Sequence, residues 1–451
     1  FWRFRKKRHE KRPHKVRFLS LSCKNNQKKE SLLTLSTNLP KGNRKTMQNN
    51  VEIIQINISG EDKPGMTSSL TEILARYDAF ILDIGQANIH QSLTLGILIK
   101  TTADKSGSIM KELLFKASEL GVMIRFTPIT EEHYQAWVGR QGKNRYIITL
   151  LGRQVTARHI AGVTKAVAEQ GLNIDAIKRL TGRMPLEEEN RATRACIELS
   201  VRGTLGDKAV LQKRFMELSN EGVDISFQKD DIFRRSRRLI CFDMDSTLIE
   251  TEVIDELAIR AGVGDEVKAI TESAMRGEID FTESFTRRVA LLKGLDESVM
   301  QEIAESLPIT EGVERLMYVL KKYGYKIAIL SGGFTYFGQY LQKKYGIDYV
   351  YANELEIIDG KLTGRYLGDV VDGKRKAELL RLIAQVEKVD IAQTIAVGDG
   401  ANDLPMLGVA GLGIAFHAKP KVVANAKQSI NTIGLDGVLY FLGFKDSYLN
   451  M

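Results

Sequence analysis

Leu239-Ile240-Cys241-Phe242-Asp243-Met244-Asp245-Ser246-Thr247-Leu248-Ile249 is the stretch whose reading decides the fold. An apolar run of four residues that stops in two aspartates, two positions apart, reads as a buried strand delivering carboxylates at its C-terminal edge. Open α/β sheets place their ligands at that edge. The same letters also fit an ordinary strand ending in a polar turn, because Asp and Ser favour turns. Partners elsewhere in the chain have to decide between the two.

Working outward toward the C-terminus, Glu252 to Arg260, Asp265 to Met275, Asp280 to Leu292 and Asp296 to Leu307 have helical spacing. Together they predict a helical insert, about 253–307, sized to cover a strand end. The sheet resumes at Tyr325-Lys326-Ile327-Ala328-Ile329-Leu330 and stops in Ser331-Gly332-Gly333. A hydroxyl beside exposed backbone N–H groups suits a phosphate, although Ser-Gly-Gly is also a common turn. Asp369 to Leu380 reads as a loop entering a helix with Lys374, Arg375 and Lys376. One lysine there would neutralise a phosphoryl group, and the letters alone do not choose between Lys374 and Lys376.

Thr394-Ile395-Ala396-Val397-Gly398-Asp399-Gly400-Ala401-Asn402-Asp403 is a second apolar strand running straight into a carboxylate. Gly398 and Gly400 let the backbone approach a ligand closely. Asp399 and Asp403 would then join Asp243 and Asp245 at one sheet edge, where they repel one another unless a cation sits among them. Oxygen donors alone imply a hard divalent ion such as Mg²⁺.

Toward the N-terminus, Val51 to Ile58, Ala79 to Ala87, Ser92 to Lys100 and Val122 to Pro128 read as strands. Helices through Arg76 and over Ser106 to Leu120 separate them, a βαββαβ order over 47–130. The order recurs over 145–229, from Arg145-Tyr146-Ile147-Ile148-Thr149-Leu150-Leu151 to Val223 to Gln228, so the chain carries an internal duplication. Asp230 to Arg238, with arginines at 234, 235, 237 and 238, reads as a solvated linker.

The 451 residues suffice for two to four domains, and 43% hydrophobic with 27% charged residues reads as soluble and globular. No apolar run approaches the roughly 20 residues a bilayer span needs, so no membrane is expected. Cys23, Cys196 and Cys241 form no ligand-like pair, which points to a reducing, cytoplasmic home. The net charge of +9 is misleading: residues 1–46 hold fifteen Lys/Arg and two acids, a local +13, leaving 9 − 13 = −4 for the rest. A nucleic-acid role for the body is therefore not expected. The basic segment 1–46 is expected to be disordered. A transit peptide or a basic arm are possible readings of it; Phe1 is not a start residue, and the preferred reading is an extended or misplaced start, with Met47 the true beginning.

The turn Gly60-Glu61-Asp62-Lys63-Pro64-Gly65 and the βαββαβ order resemble the ACT domain, a family of small amino-acid-sensing modules. The second copy departs from it with Gly152-Arg153-Gln154-Val155-Thr156, which puts a ligand site there in doubt. Pairing of two copies into a homodimer and sensing of serine both stay open. Strand-Asp-x-Asp-x-Thr, strand-Ser-Gly-Gly, a lysine and strand-Gly-Asp-Gly-x-Asn-Asp, in that order, resemble the haloacid dehalogenase-like phosphotransferases. Within them, Glu252, Met275 to Phe281, Arg287 to Leu295 and Gly398 to Pro405 look like the phosphoserine phosphatase family, over about 239–442.

That resemblance implies a Rossmann-like α/β core with a helical cap, over 239–451, behind two α+β ferredoxin-like ACT-type domains. It implies hydrolysis of phosphoserine, the last step of serine biosynthesis, with Asp243 as nucleophile and Asp245 as acid and base. Mg²⁺ would sit on Asp243, the Asp245 carbonyl and Asp399. Ser331, Gly332, Lys376 and Asn402 would hold the phosphoryl group, with Asp403 orienting Lys376 or the metal shell. Glu252 would meet the substrate ammonium, Arg288 its carboxylate, and Met275 and Phe281 would form an apolar wall. The alternatives are a related phosphatase or phosphotransferase on another small phosphorylated amino acid or alcohol, and an amino-acid sensor with a vestigial phosphatase domain.

Overall fold

A computed structural model describes residues 51–139, 142, 144–183 and 193–449. The basic segment 1–46 and Met47 lie outside the described residues. None of the described helices is long and apolar enough to cross a membrane. Among the described residues, those from Val51 to Ala136 and those from Trp137 onward form two compact units.

The first unit is a four-stranded antiparallel sheet of β1 (Val51–Glu61), β2 (Phe80–Ile89), β3 (Ser92–Thr102) and β4 (Met123–Ile129), in the order β2-β3-β1-β4. Ile54, Ile56 and Ile58 alternate with Gln55 and Asn57, and Leu93, Leu95, Ile97 and Ile99 with the residues between them, so the apolar set shares one face. That face packs on the helices Met66–Arg76 and Ala103–Leu120 through Leu70, Leu74, Ile109 and Leu113. The chain also forms a helix at Glu131–Val138, which its short polar and aromatic text did not announce.

The second unit opens with the repeat: β5 (Arg145–Gly152), β6 (Asn173–Arg179), β7 (Ala195–Arg202) and β8 (Asp224–Lys229), in the order β6-β7-β5-β8. Here the two copies part. From Ile147 to Gly152 every residue of β5 is buried, with no alternation, the signature of a strand covered on both faces. One face meets the repeat's own helices through Ile148, Leu150 and Val163. The other, with Leu151, Leu180 and Cys196, enters the same core as Leu439 and Phe441 of the C-terminal domain. Polar contacts pin the joint: Asp224 accepts from the N–H groups of Asn431 (2.9 Å) and Thr432 (3.0 Å). The Gln428 amide exchanges hydrogen bonds with the Phe227 backbone at 3.0 and 2.9 Å, as a neighbouring strand would.

The linker reading needs correction at this joint. Arg234 and Arg237 are 3% and 5% exposed. Arg234 pairs with Glu198 at 2.6 Å, and Arg237 donates to the carbonyls of Ala392 and Thr394 and to the Gln228 side chain. Two arginines of the run are therefore packed at the joint while Arg235 and Arg238 stay exposed as a linker's would, and the Arg237 guanidinium satisfies backbone acceptors buried there.

The C-terminal domain is a seven-stranded sheet: β9 (Leu239–Phe242), β10 (Lys326–Phe334), β11 (Tyr349–Ile358), β12 (Lys361–Leu367), β13 (Thr394–Gly398), β14 (Leu412–Phe416) and β15 (Gln428–Ile430). The order is β12-β11-β10-β9-β13-β14-β15, parallel except for the β11–β12 hairpin, which the sequence reading missed. β9 sits centrally, paired to β10 on one side and β13 on the other. The chain order reverses at β9, the place where open α/β sheets leave a crevice beyond their carboxyl ends. Four helices, Val253–Ala261, Gly264–Met275, Phe281–Leu291 and Ser298–Ser306, form the cap expected over 253–307. Its two connections run side by side: Thr310 N–H donates to Leu248 O (3.1 Å) and Glu250 N–H to Pro308 O (2.9 Å).

Candidate active site

Register sets the level of every functional group. Phe242 stands opposite Ile329 on β10 and Val397 on β13, and Asp243 N–H donates to Val397 O at 2.9 Å. Asp243, Ser331 and Asp399 thus leave adjacent strands at nearly one height. Asp243 and Asp245 do not continue the strand: β9 ends at Phe242, and Ser246 takes a φ of 54°. A turn, not the strand pleat, brings Asp245 back over the crevice, where its Oδ1 accepts from Val253 N–H at the start of the cap (3.2 Å).

Asp243, Asp399 and Asp403 each offer an oxygen within 4.8 Å of the others, a group able to hold a metal ion. Lys376, fully buried, lies 2.9 Å from Asp243 Oδ1 and 2.7 Å from Asp403 Oδ1. Lys374 is exposed, with a side chain 86% accessible, so the structure makes the choice that the letters left open. Thr247, fully buried, donates from Oγ1 to Asp399 Oδ1 at 3.3 Å. Ser331, also fully buried, accepts Gly333 N–H on its Oγ at 2.9 Å. A Cβ on Gly333 would come 2.3 Å from Asp245 Oδ2, so glycine is required for the carboxylate to sit there.

The electrostatics follow from this crowding. Burial, then Asp403, raises the Asp243 carboxyl well above its usual range, with Lys376 opposing. Burial and Glu252 raise Asp245 in the same way, against the Val253 N–H. Asp399 is pushed up to about 7 by burial, Asp403 and Glu252. Burial would lower the Lys376 ammonium, but Asp243 and Asp403 outweigh it and hold the lysine charged. The carboxyls outnumber that ammonium, and their oxygen-only donor set suits a hard divalent cation.

The cap supplies a second group of charges. Glu252 takes the Ser246 hydroxyl at 2.9 Å, and Arg288 donates from Nε to Ser284 O at 3.4 Å. Burial lowers the Arg288 guanidinium, and Glu252, Asp255 and Asp245 act against that shift. Phe281 reaches the core, since a Cβ on Gly332 would lie 2.9 Å from its ring. Met275 stands apart from it at the rim, 63% exposed, with its sulfur 3.9 Å from Lys419 Nζ. Asn402 packs through its backbone carbonyl, 2.5 Å from where a Cβ on Gly373 would be, beside the helix that carries Lys376. His417, with no role read for it, binds Ile433 O through Nε2.

Sequence reasoning passed over Asn353. It is 2% exposed at a bulge beside Ser331–Gly333. An asparagine after Tyr349-Val350-Tyr351 is a poor strand former, but nothing near it in the chain shows what it binds.

Family models match along the whole layout: ACT domain over 52–127, ACT domain over 145–228 and haloacid dehalogenase-like hydrolase over 237–411. The chain is 38% identical to a phosphoserine phosphatase of Streptomyces coelicolor over 394 residues, 87% of this chain and 92% of that one. It is 42% identical to one of Archaeoglobus fulgidus over 347 residues, 76% of this chain and 96% of the relative. Among solved structures, a probable phosphoserine phosphatase from Vibrio cholerae in unliganded form superposes with a TM-score of 0.52 at 36% identity, covering 66% of this chain and 86% of that one. With carboxylates from β9 and β13, a buried lysine and a helical cap at a sheet switch point, and with this likeness along nearly its full length, the chain belongs to the phosphoserine phosphatase family of haloacid dehalogenase-like hydrolases, with two ACT domains ahead of the catalytic one.

Proposed function

We infer that this protein hydrolyses O-phospho-L-serine to L-serine and phosphate, the step that completes serine biosynthesis. The observation that carries the reading is the meeting of Asp243, Asp245, Ser331, Lys376 and Asp399 beneath a cap that adds Glu252, Arg288 and Phe281. An Asp243 oxygen attacks phosphorus, the phosphorus–seryl oxygen bond breaks, and an aspartyl-phosphate forms. Asp245, whose carboxyl is raised by burial and by Glu252, gives a proton to the departing oxygen. It then takes one from the water that attacks phosphorus, which releases phosphate and restores Asp243. Ser331, the Gly332 N–H, Lys376 and Asn402 hold the equatorial oxygens. Asp403 orients Lys376.

Asp243, Asp399 and the Asp245 carbonyl are the groups that would hold Mg²⁺, which when bound offsets the repulsion between nucleophile and phosphate. Glu252 reads the substrate ammonium and Arg288 its carboxylate, a planar fork suited to a bidentate pair, with Phe281 as the apolar wall and Met275 at its rim. The ACT domains support L-serine as a regulatory ligand in a homodimer, and the buried free thiols of Cys196 and Cys241 fit a reducing, cytoplasmic setting.

The test is phosphate release from phosphoserine, with and without Mg²⁺, set beside phosphothreonine, phosphoethanolamine and an aryl phosphate. Phosphoserine should lead, Mg²⁺ should be required, and Asp243→Asn should abolish turnover. Equal rates on all four compounds would favour a broad phosphatase; no turnover on any would leave an amino-acid sensor.

A further inference from the structure

We propose that Asn353 is a positioning residue for the phosphoryl group, fixing the Ser331–Gly333 loop and tying it to the loop that leads into the Lys376 helix. β10 and β11 pair in register at Leu330 with Tyr351 and again at Phe334 with Asn353, so Ser331, Gly332 and Gly333 stand opposite Ala352 alone. Such a bulge leaves backbone groups without ladder partners. Asn353 supplies them: its Nδ2 donates to Gly332 O at 2.8 Å and to Gly333 O at 3.3 Å. Its Oδ1 accepts Val371 N–H at 2.8 Å.

The consequence reaches the hydroxyl that meets phosphate. In the planar trans peptide between Gly332 and Gly333, the carbonyl and the N–H point in opposite directions. With Gly332 O held by Asn353, Gly333 N–H is aimed at Ser331 Oγ, 2.9 Å away. That bond occupies a lone pair of the hydroxyl and leaves its hydrogen free to donate toward the phosphate. On the other side, Val371 precedes Asp372, whose side chain caps the helix bearing Lys376 by accepting Arg375 N–H at 2.7 Å. One amide, at once donor and acceptor, thus sets both the Ser331 hydroxyl and the start of the lysine helix.

This inference rests on the phosphatase reading. Asn353→Asp keeps the shape and the acceptor for Val371 but sets an anion against the Gly332 and Gly333 carbonyls. Folding is followed by circular dichroism and melting. The expected result is kcat lower by roughly 100-fold, the cost of a misplaced reacting group. Inhibition by orthovanadate, which probes the phosphate pocket, should weaken by a similar factor, while competitive inhibition by L-serine stays within about threefold. As pH falls, the introduced carboxyl regains a hydrogen to donate, so the ratio of variant to wild-type kcat should rise.

Asn353→Ser, which keeps one short donor, carries the kcat, orthovanadate and L-serine readouts if the aspartate variant does not fold. A folded variant with kcat within about threefold of wild type, or orthovanadate and L-serine weakening together, overturns the proposal. Wild-type protein inert toward phosphoserine would instead sink the phosphatase reading itself.

Discussion

Replacing Lys376 by methionine should displace the pH dependence of turnover, and the structure gives the size. The ammonium lies 2.9 Å from Asp243 Oδ1, which at an effective dielectric near 20 is an attraction of roughly 6 kcal/mol. Water entry and relaxation into the shorter side chain's space remove about half, leaving about 3 kcal/mol, or about two pKa units. Asp243 attacks as the anion, and loss of the cation raises its pKa, so the acid limb of kcat/KM should move about two units to higher pH. At neutral pH the ionised fraction falls by up to about 100-fold, and loss of a donor to phosphate adds about 100-fold more. The Lys376→Met protein should therefore be nearly inert at pH 7 and recover part of its rate as pH rises. The assay is phosphate release from phosphoserine between pH 5 and 10 at limiting Mg²⁺, where a bound dication does not itself set the ionisation of Asp243, with folding checked by circular dichroism because a broken buried pair costs about 3 to 5 kcal/mol. An acid limb at the wild-type position, in a folded variant, would refute the argument that Lys376 opposes the rise of the Asp243 carboxyl.

Arg288→Ala should lower kcat/KM for phosphoserine by about 100-fold, the usual cost of truncating one member of a desolvated charge pair, and leave an aryl phosphate nearly unaffected; equal losses would remove Arg288 as the reader of the substrate carboxylate. Asp399, raised to about 7, must lose its proton to bind metal, so the Mg²⁺ concentration giving half activity should climb at least about tenfold per unit as pH falls below 7. A Mg²⁺ requirement that is flat between pH 6 and 8 would speak against Asp399 as a ligand. Residues 237–451 alone should aggregate, having lost the cover that Leu151, Leu180 and Cys196 give to Leu439 and Phe441; a cooperative melt at the full-length temperature would count against that joint.

Much of the proposed chemistry was legible because the residues assigned to it sit where strands stop, and a strand end is a local event. The apolar runs into Asp243, Ser331 and Asp399 are short enough to be read by eye, and the sheet merely aligned them. Asn353 was not legible, because its role depends on a bulge in the neighbouring strand more than twenty residues earlier in the chain. Lys374 and Lys376 could not be separated by composition; helix phase settles them, turning Lys376 into the core and Lys374 to water.

The letters by themselves determined the repeat, the cap, the order of the motifs and the kind of chemistry, since periodicity and residue type are properties of neighbours along the chain. Burial is a property of neighbours in space, and the tertiary structure alone decided it. The two ACT copies share a topology, yet one sheet has a single buried face and the other is covered on both. The unbroken Ile147-Ile148-Thr149-Leu150-Leu151 beside the alternating Ile54-Gln55-Ile56-Asn57-Ile58 hinted at that difference. What covers the second face, and why two arginines of the following segment are inside, follows from a domain that begins at Leu239 folding back onto it.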